Sequence, residues 1–507
     1  MDYIVVQAGG KGTRLKYLTQ NKPKALVPVD NLPMLFHLFR KYPDKKFIII
    51  ADYKKDVMRK YLEAFAEVKY IVVEASGTGT CGGVKQAIDL LPDNEAFMLV
   101  WSDLILPADL ALPEEYTNIN LVPEKDYVGL SQTFPCRWKY ENGKFAEERS
   151  EEFGVAGFFL FTDRLKLKGV PESGELVRWF GEQSMAFGTV GLAGTKEFGL
   201  IEEYEKLEIS KCRPFNRITI NGDVLTKEPV DAQGRKLAKR ESSWYEKAQN
   251  LGIDILPRIY ATSPLQMELI HGQNIYECDL AYDERKTILE KLVASLAKLH
   301  ESDRIPSDPF SVREAYYSKT FDRLSKIRDM LPFADERCIT VNGRKCRNVF
   351  FYRRELEKKL DNLINDCEEF AFIHGDCTFS NMMLRDDGEP VLIDPRGYFG
   401  FTEMYGDIRY DWAKIYYSIA GNYDRFNLKK FKLEISESGE AEVSLQIESN
   451  GWEDLADYFL ELTGCDSYEI KLLHAVIWLS LTTYAWQDYD SVCGAFYNGL
   501  YYLEEVL

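Results

Sequence analysis

The sequence predicts two folds in succession: an α/β, doubly wound domain over residues 1–207, then an α+β domain over residues 208–507. Up to about residue 207, strand-like apolar runs alternate with helical patterns, which is how a parallel sheet with helical crossovers reads. The remainder opens on a β-hairpin, carries long helical stretches and holds its chemistry in two short Asp-bearing turns. A chain of 507 residues has room for two or three cores of this kind.

Composition narrows the partners. Net charge is −18 and no run of Lys and Arg exceeds a few residues, which argues against nucleic acid or an anionic membrane. No apolar run reaches membrane-spanning length. The chain starts Met-Asp-Tyr-Ile and enters a strand without the charged, apolar and cleavable regions of a leader, so a cytoplasmic location is expected. Ten cysteines, without Cys-x-x-Cys spacing or histidine partners, read as reduced thiols and not as a zinc site.

In chain order, Tyr3–Ala8 is a short β-rich run leading into Gly9-Gly10-Lys11-Gly12-Thr13-Arg14. Glycine permits positive φ and close backbone approach, so this turn offers N–H groups to a phosphate, and Lys11 and Arg14 add charge. Asn21-Lys-Pro-Lys24-Ala-Leu-Val-Pro-Val29 follows. Phe47–Ala51 and Tyr70–Val73 read as strands on either side of a helix over Lys55–Phe65. Gly77-Thr78-Gly-Thr80-Cys-Gly-Gly83 opens a helix over Val84–Leu91. Phe97–Trp101 is a buried-strand run ending on Ser102-Asp103, and Phe153–Phe161 is a further strand. A helical pattern over Glu202–Leu207 runs almost directly into Phe215.

The elements GGxGTRL and KPKALVPV, at this separation, resemble the nucleotidyltransferases that make NDP-sugars and CDP-alcohols, and the likeness extends to about residue 205. It implies a Rossmann-like, GT-A-like fold in which Gly9, Gly10, Lys11, Gly12, Thr13 and Arg14 hold a nucleoside triphosphate. Lys24 would contact the phosphates, and Thr78, Thr80 and Gly83 would lie against the base. Asp103, at the C-terminal edge of a central strand, would be a Mg²⁺ ligand, and Phe153–Phe161 would line the acceptor pocket. Val190-Gly-Leu-Ala-Gly-Thr195 resembles a segment in which many relatives carry a second metal-binding Asp; here that place holds Leu192. The implied chemistry is in-line attack by an acceptor phosphate oxygen on the α-phosphorus, with pyrophosphate leaving beside Mg²⁺, Arg14 and Lys24.

The second domain begins with a hairpin, Arg217–Ile220 and Val224–Lys227 joined at Asn221-Gly222, with Phe215 leading in. Lys236–Gln249 reads as a helix carrying Glu241, and Ile255–Thr262 as strand-like. Tyr282–His300 has helical apolar spacing. His374-Gly-Asp376-Cys-Thr-Phe-Ser-Asn381 follows the apolar run Phe370–Ile373, and Asp394-Pro-Arg396-Gly follows Pro390–Ile393. Phosphoryl transfer to an alcohol needs a carboxylate to accept the hydroxyl proton, and an Asn and an Asp to hold Mg²⁺ against ATP. Asp376, Asn381 and Asp394 supply those groups in that order.

These motifs resemble the aminoglycoside phosphotransferase and choline kinase superfamily over about residues 208–507. The resemblance implies a protein-kinase-like, bilobal α+β fold, with an N-lobe over 208–270 and a C-lobe over 271–507. Lys227 would neutralise the ATP phosphates and pair with Glu241, and Met267 and Glu268 would begin the hinge that accepts the adenine edge. His374 would orient the catalytic loop. Asp407 and Asp411 would brace that loop and approach the substrate. Arg396 suits a phosphate or an acidic substrate group, or equally a structural salt bridge. The aromatic stretch Ile470–Leu507 would box a quaternary ammonium, stack on a sugar ring, or pack as core.

A kinase makes a phosphate monoester and a nucleotidyltransferase consumes one. The pairing predicts two consecutive steps, using Mg²⁺, ATP and then CTP or another NTP, on a small alcohol or sugar. The product would be an activated precursor for a surface polysaccharide, such as capsule or lipopolysaccharide, or for a lipid. The wording Leu18-Thr-Gln-Asn-Lys-Pro-Lys-Ala-Leu-Val resembles phosphocholine cytidylyltransferases, which favours a CDP-choline- or CDP-ethanolamine-like product. The alternatives are an anomeric sugar kinase feeding an NDP-sugar synthesis, and an active kinase on a degenerate nucleotidyltransferase scaffold.

Overall fold

The computed structural model describes residues 1–207 and 216–507. The junction between the two expected domains, and Phe215, lie outside the described residues. The chain divides into two compact units, Met1–Ile209 with Trp486–Asp490, and Ser210–Ala485 with Ser491–Leu507. Among the described residues no helix is long and apolar enough to cross a membrane.

The first unit is built on a nine-stranded sheet. Its central strands Tyr3–Gln7, Lys46–Ala51 and Phe97–Trp101 are runs of Val, Ile, Leu and Phe, buried almost throughout, as strands covered on both faces must be. They pair in parallel, Val5 opposite both Ile48 and Leu99, and Lys69–Glu74 continues the parallel edge. The Lys55–Phe65 helix forms over the expected residues, and the Val84–Asp89 helix stops two residues short of expectation.

The sheet is mixed and not parallel throughout. Gly154–Phe161 lies antiparallel to both Phe97–Trp101 and Tyr127–Ser131. Its pairing with Tyr127–Ser131 shifts register between Val155 and Phe159. Gly157 sits in that shift with φ +79, and a Cβ there would run into the Trp101 ring. Strand direction is invisible in an apolar run, so the alternation of elements alone led to the parallel expectation. Phe159, Phe161, Phe180 and Phe187 pack together below this part of the sheet.

The second unit opens on a four-stranded antiparallel sheet in the order Asn216–Asn221, Val224–Pro229, Leu265–Glu268, Ile259–Thr262. The tight turn falls one residue later than the expected Asn221-Gly222: Asn221 pairs with Val224, and the loop is Gly222-Asp223 with Gly222 at φ +61. The Ala232–Asn250 helix crosses this sheet, N-capped by Asp231 accepting from Gly234 N–H. The rest is mainly helical, with small sheets of two to four strands. The Tyr282–Ser302 and Ile408–Ile419 helices stand behind the turn that carries His374–Asn381, through His300 and Asp411, and the Ser467–Leu481 helix packs on Ile408–Ile419. Trp478, Phe496 and Tyr497 in the aromatic C-terminal stretch are fully buried core residues.

Candidate active sites

In the first unit the central strand Tyr3–Gln7 delivers the Gly9–Thr13 loop to the C-terminal edge of the sheet. The backbone N–H groups of Gly9 through Thr13 have no acceptor among the described residues. Gly12 (φ +64) packs so closely that a Cβ would lie 3.0 Å from Lys24 Cβ, which ties the loop to the Asn21–Val29 segment. Lys11 and Arg14 are exposed beside the loop, and Lys24 is buried. The Lys24 ammonium is ion-paired to Asp103 Oδ2. The other carboxylate oxygen of Asp103 is buried and has no hydrogen-bond partner, an orphaned acceptor of the kind that suits a cation.

A second carboxylate reaches this place from a position the sequence did not single out. Lys196–Glu197 pairs antiparallel with Leu104–Ile105, placing Glu197 opposite Leu104, next to Asp103 in the chain. Burial, and then the Asp103 charge, push the Glu197 carboxyl above the usual range, against the pull of Lys24 and Arg14. Leu192 itself is fully buried and packs over Gly129 in the hydrophobic interior. Past Gly194 (φ +76) the chain rejoins the sheet edge, and Glu197 stands five residues after Leu192. An acid paired with a strand-edge Asp could have been sought among Glu197, Glu202 and Glu203, but only the pairing with Leu104–Ile105 selects one.

Of the three residues expected against a base, two are engaged within the fold. Thr80 Oγ1 accepts from Leu176 N–H at 2.8 Å, and Thr78 N–H donates to Ser173 Oγ at 3.0 Å. Gly83 (φ +77) lies where a Cβ would strike Ile50, so its smallness serves packing at the start of the Val84–Asp89 helix.

In the second unit the hairpin strand ends on Lys227, whose ammonium bridges three carboxylate oxygens: Glu241 Oε1 and Oε2 at 2.9 Å and Asp394 Oδ1 at 2.8 Å. The two carboxylates outweigh desolvation and keep this lysine charged. Asp394 itself stands in the left-handed region at φ +53, a conformation that a non-glycine residue holds only when its surroundings impose it. Asp376 is placed by the other turn. Asn381 Nδ2 donates to the Asp376 carbonyl at 2.9 Å and to its carboxylate at 3.1 Å, and Lys414 Nζ lies 3.0 Å from Oδ1.

The groups behind this turn are fully buried. Asp411 accepts from His374 N–H (2.9 Å), from Gly375 N–H (2.7 Å) and from the His300 ring (3.0 Å). His300, and the backbone donor of His374, hold the Asp411 carboxyl below its usual range even though burial alone would raise it. His374 Nε2 meets the Ile393 carbonyl at 3.0 Å, joining the two Asp-bearing turns. Asp411 is thus a brace and, fully enclosed, does not reach a substrate. Asp407 likewise is buried: it caps the Ile408–Ile419 helix, pairs with Arg409 and accepts from Tyr316 at 3.0 Å. Both depart from the expectation of substrate contact, because every acceptor site on them is directed to the protein.

The expected hinge is structured by its own backbone. Glu268 N–H donates to Arg258 O at 2.9 Å and Leu269 N–H to Asp223 O at 2.8 Å, while the Glu268 carboxylate pairs with Arg385. Met267 is buried beneath this strand. Among the described residues Arg396 makes no carboxylate salt bridge; it donates to Tyr410 OH at 2.9 Å and Tyr398 OH at 3.1 Å.

Residues 3–121 match the nucleotidyl transferase family and residues 238–429 the phosphotransferase enzyme family. A UTP–glucose-1-phosphate uridylyltransferase of Haloferax volcanii is 34% identical over 175 residues, which is 31% of this chain and 71% of that protein. The bifunctional protein GlmU of Methanocaldococcus jannaschii is 34% identical over 113 residues, covering 22% of this chain and 26% of that protein. The chain spans less than half the length of the other curated relatives. Among solved structures, HddC from Yersinia pseudotuberculosis aligns with 41% of this chain and 98% of its own, at 19% identity and a TM-score of 0.34. The chain therefore belongs to the nucleotidyl transferase family through its N-terminal domain, and joins to it a C-terminal domain of the phosphotransferase enzyme family.

Proposed function

We propose that the second unit phosphorylates a hydroxyl group of a small molecule with ATP, and that the first unit then transfers a nucleotidyl group from an NTP to the phosphate so formed. The observation that carries the kinase reading is the Lys227 bridge to Glu241 and Asp394, set beside Asp376 and Asn381 in one turn. In this reading the substrate hydroxyl oxygen attacks the γ-phosphorus, the bond from that phosphorus to the β–γ bridging oxygen breaks, and ADP leaves. The hydroxyl proton passes to Asp376. Lys227 holds the ATP phosphates. The amide oxygen of Asn381, whose Nδ2 is engaged by Asp376, and the carboxylate of Asp394 would hold Mg²⁺.

In the first unit the N–H groups of Gly9–Thr13 receive the triphosphate, and an acceptor phosphate oxygen attacks the α-phosphorus. The bond to the α–β bridging oxygen breaks, and Arg14 and Lys24 stabilise the departing pyrophosphate. The open Asp103 oxygen, with Glu197 beside it, fits Mg²⁺, and this supports an active transferase over a scaffold. Bound there, Mg²⁺ supplies positive charge to the phosphates.

The uridylyl transfer to glucose 1-phosphate named for the Haloferax relative supports a sugar phosphate as acceptor. The likeness of Leu18–Val27 to phosphocholine cytidylyltransferases supports the second reading, CTP with a phosphorylated amino-alcohol. Incubation of the full chain with Mg²⁺, ATP and each NTP against amino-alcohols, polyols and sugars, followed by mass spectrometry, tests both. A nucleoside diphosphate ester of the added compound is expected. A phosphorylated product that is never nucleotidylated would overturn the role given to the first unit.

A further inference from the structure

Positive charge is dense around Asp376 and the neighbouring Tyr398 and Tyr410 rings. Arg396 and Lys414 converge on the Tyr410 ring, at 5.9 and 5.8 Å from its centroid, and Lys414 also touches Asp376. Arg240 and Arg396 flank the Tyr398 ring at 4.5 and 4.4 Å. Arg323 donates to the Ser480 carbonyl and is otherwise surrounded by the same tyrosines and by Arg396. Lys319, half-buried, has no hydrogen bond or ion pair among the described residues. Burial, together with Arg396, Arg323 and Lys414, holds its ammonium well below the usual lysine range, with Glu314 opposing them.

Aromatic rings that would box a quaternary ammonium are present, but a cation of the chain already fills them. Lys414 Nζ stands over Tyr417 at 5.4 Å, Tyr410 at 5.8 Å and Tyr423 at 6.0 Å. A second cation beside it would meet repulsion at low effective dielectric. Cations held this close together at low effective dielectric repel one another, and an added anionic group relieves that repulsion.

Resting on the kinase reading above, we infer that the compound phosphorylated at Asp376 carries an anionic group, a carboxylate or phosphate ester, that docks on Lys319 and Arg323. This replaces the expected amino-alcohol with a hydroxy acid, an acidic sugar or a phosphorylated polyol. Arg396 and Lys414 would complete the anion site while the free hydroxyl meets Asp376.

The test has two readouts. ADP formation is followed with the full chain, Mg²⁺ and ATP against choline and ethanolamine, glycerol and glucose, glycerate and glucuronate, and glycerol 3-phosphate. Turnover of an anionic member alone is expected, and the carboxylate and phosphate arms separate the two sources of charge. Lys319→Met and Arg323→Met should each raise KM for that substrate about tenfold or more while kcat changes little. Independently of turnover, inorganic sulfate should raise the melting temperature saturably in the wild type and less in Lys319→Met. Turnover of choline, ethanolamine or a neutral polyol that sulfate does not inhibit would overturn the inference and leave the kinase standing. Absence of any turnover with a saturable, Lys319-dependent sulfate shift would overturn the kinase reading and leave the anion site. Absence of both would overturn both.

Discussion

Three single residues carry separable consequences. Asp376 takes the hydroxyl proton in the proposed mechanism, so Asp376→Asn should lower the rate of ADP formation by about 10²–10⁴-fold. Circular dichroism and binding of a non-hydrolysable ATP analogue should stay close to wild type; retained turnover would remove Asp376 from that role. His474 is fully buried and accepts a hydrogen bond from Trp478 Nε1 at 2.9 Å, an arrangement open only to the neutral ring. Burial lowers its pKa from the usual 6.5 to about 3. The unfolded chain therefore binds a proton there that the folded chain refuses. The stability His474 gives is complete above pH 6.5 and is lost as pH falls from 6.5 toward 3, by about 1.4 kcal/mol per pH unit. Urea denaturation at pH 7, 6 and 5 should show this slope, reduced in His474→Gln. Asp411, lowered by His300 and the loop amides, adds a further loss below about pH 4.

Among the elements, the antiparallel strand Gly154–Phe161 depends on Gly157. A methyl group there meets both a positive φ and the Trp101 ring. Gly157→Ala should destabilise the first unit by about 1–3 kcal/mol, read as a lower melting temperature, with ADP formation unaffected. The same strand marks how far the sequence could be read. Strands such as Phe97–Trp101 and the Lys55–Phe65 helix were legible because burial leaves its period in the residues themselves. The direction of Gly154–Phe161 was not, since both faces are apolar and no turn dipeptide precedes it. The Asp376, Asn381 and Asp394 turns were legible from local spacing. Glu197 was hidden because it comes to Asp103 through a strand pairing far apart in sequence, and Asp407 and Asp411 were misread because burial of a carboxylate cannot be told from its neighbours in the chain.

At the scale of the whole molecule, two families in one chain predict two activities that mutation can separate. Asp103→Ala should abolish pyrophosphate release while ADP formation continues, and Asp376→Asn should still nucleotidylate a phosphorylated acceptor supplied from outside. If pyrophosphate release survives Asp103→Ala, the first unit does not work through this carboxylate. The motif residues of both units were legible in the sequence, but the charge around the second set was not. Lys319, Arg323, Arg396 and Lys414 are scattered over nearly a hundred residues of sequence, and only folding brings them near one another.

The Lys414–Asp376 pair also governs what happens when nucleotide arrives alone. A carboxylate held against an ammonium is a weak base, and water offers nothing to draw that ammonium aside. In the proposed mechanism the anionic group of an acceptor would do so, by giving Lys414 a second partner. ADP formation from ATP alone should then be slow beside that with the acceptor, and an acceptor-free rate equal to the stimulated one would remove Lys414 from this part.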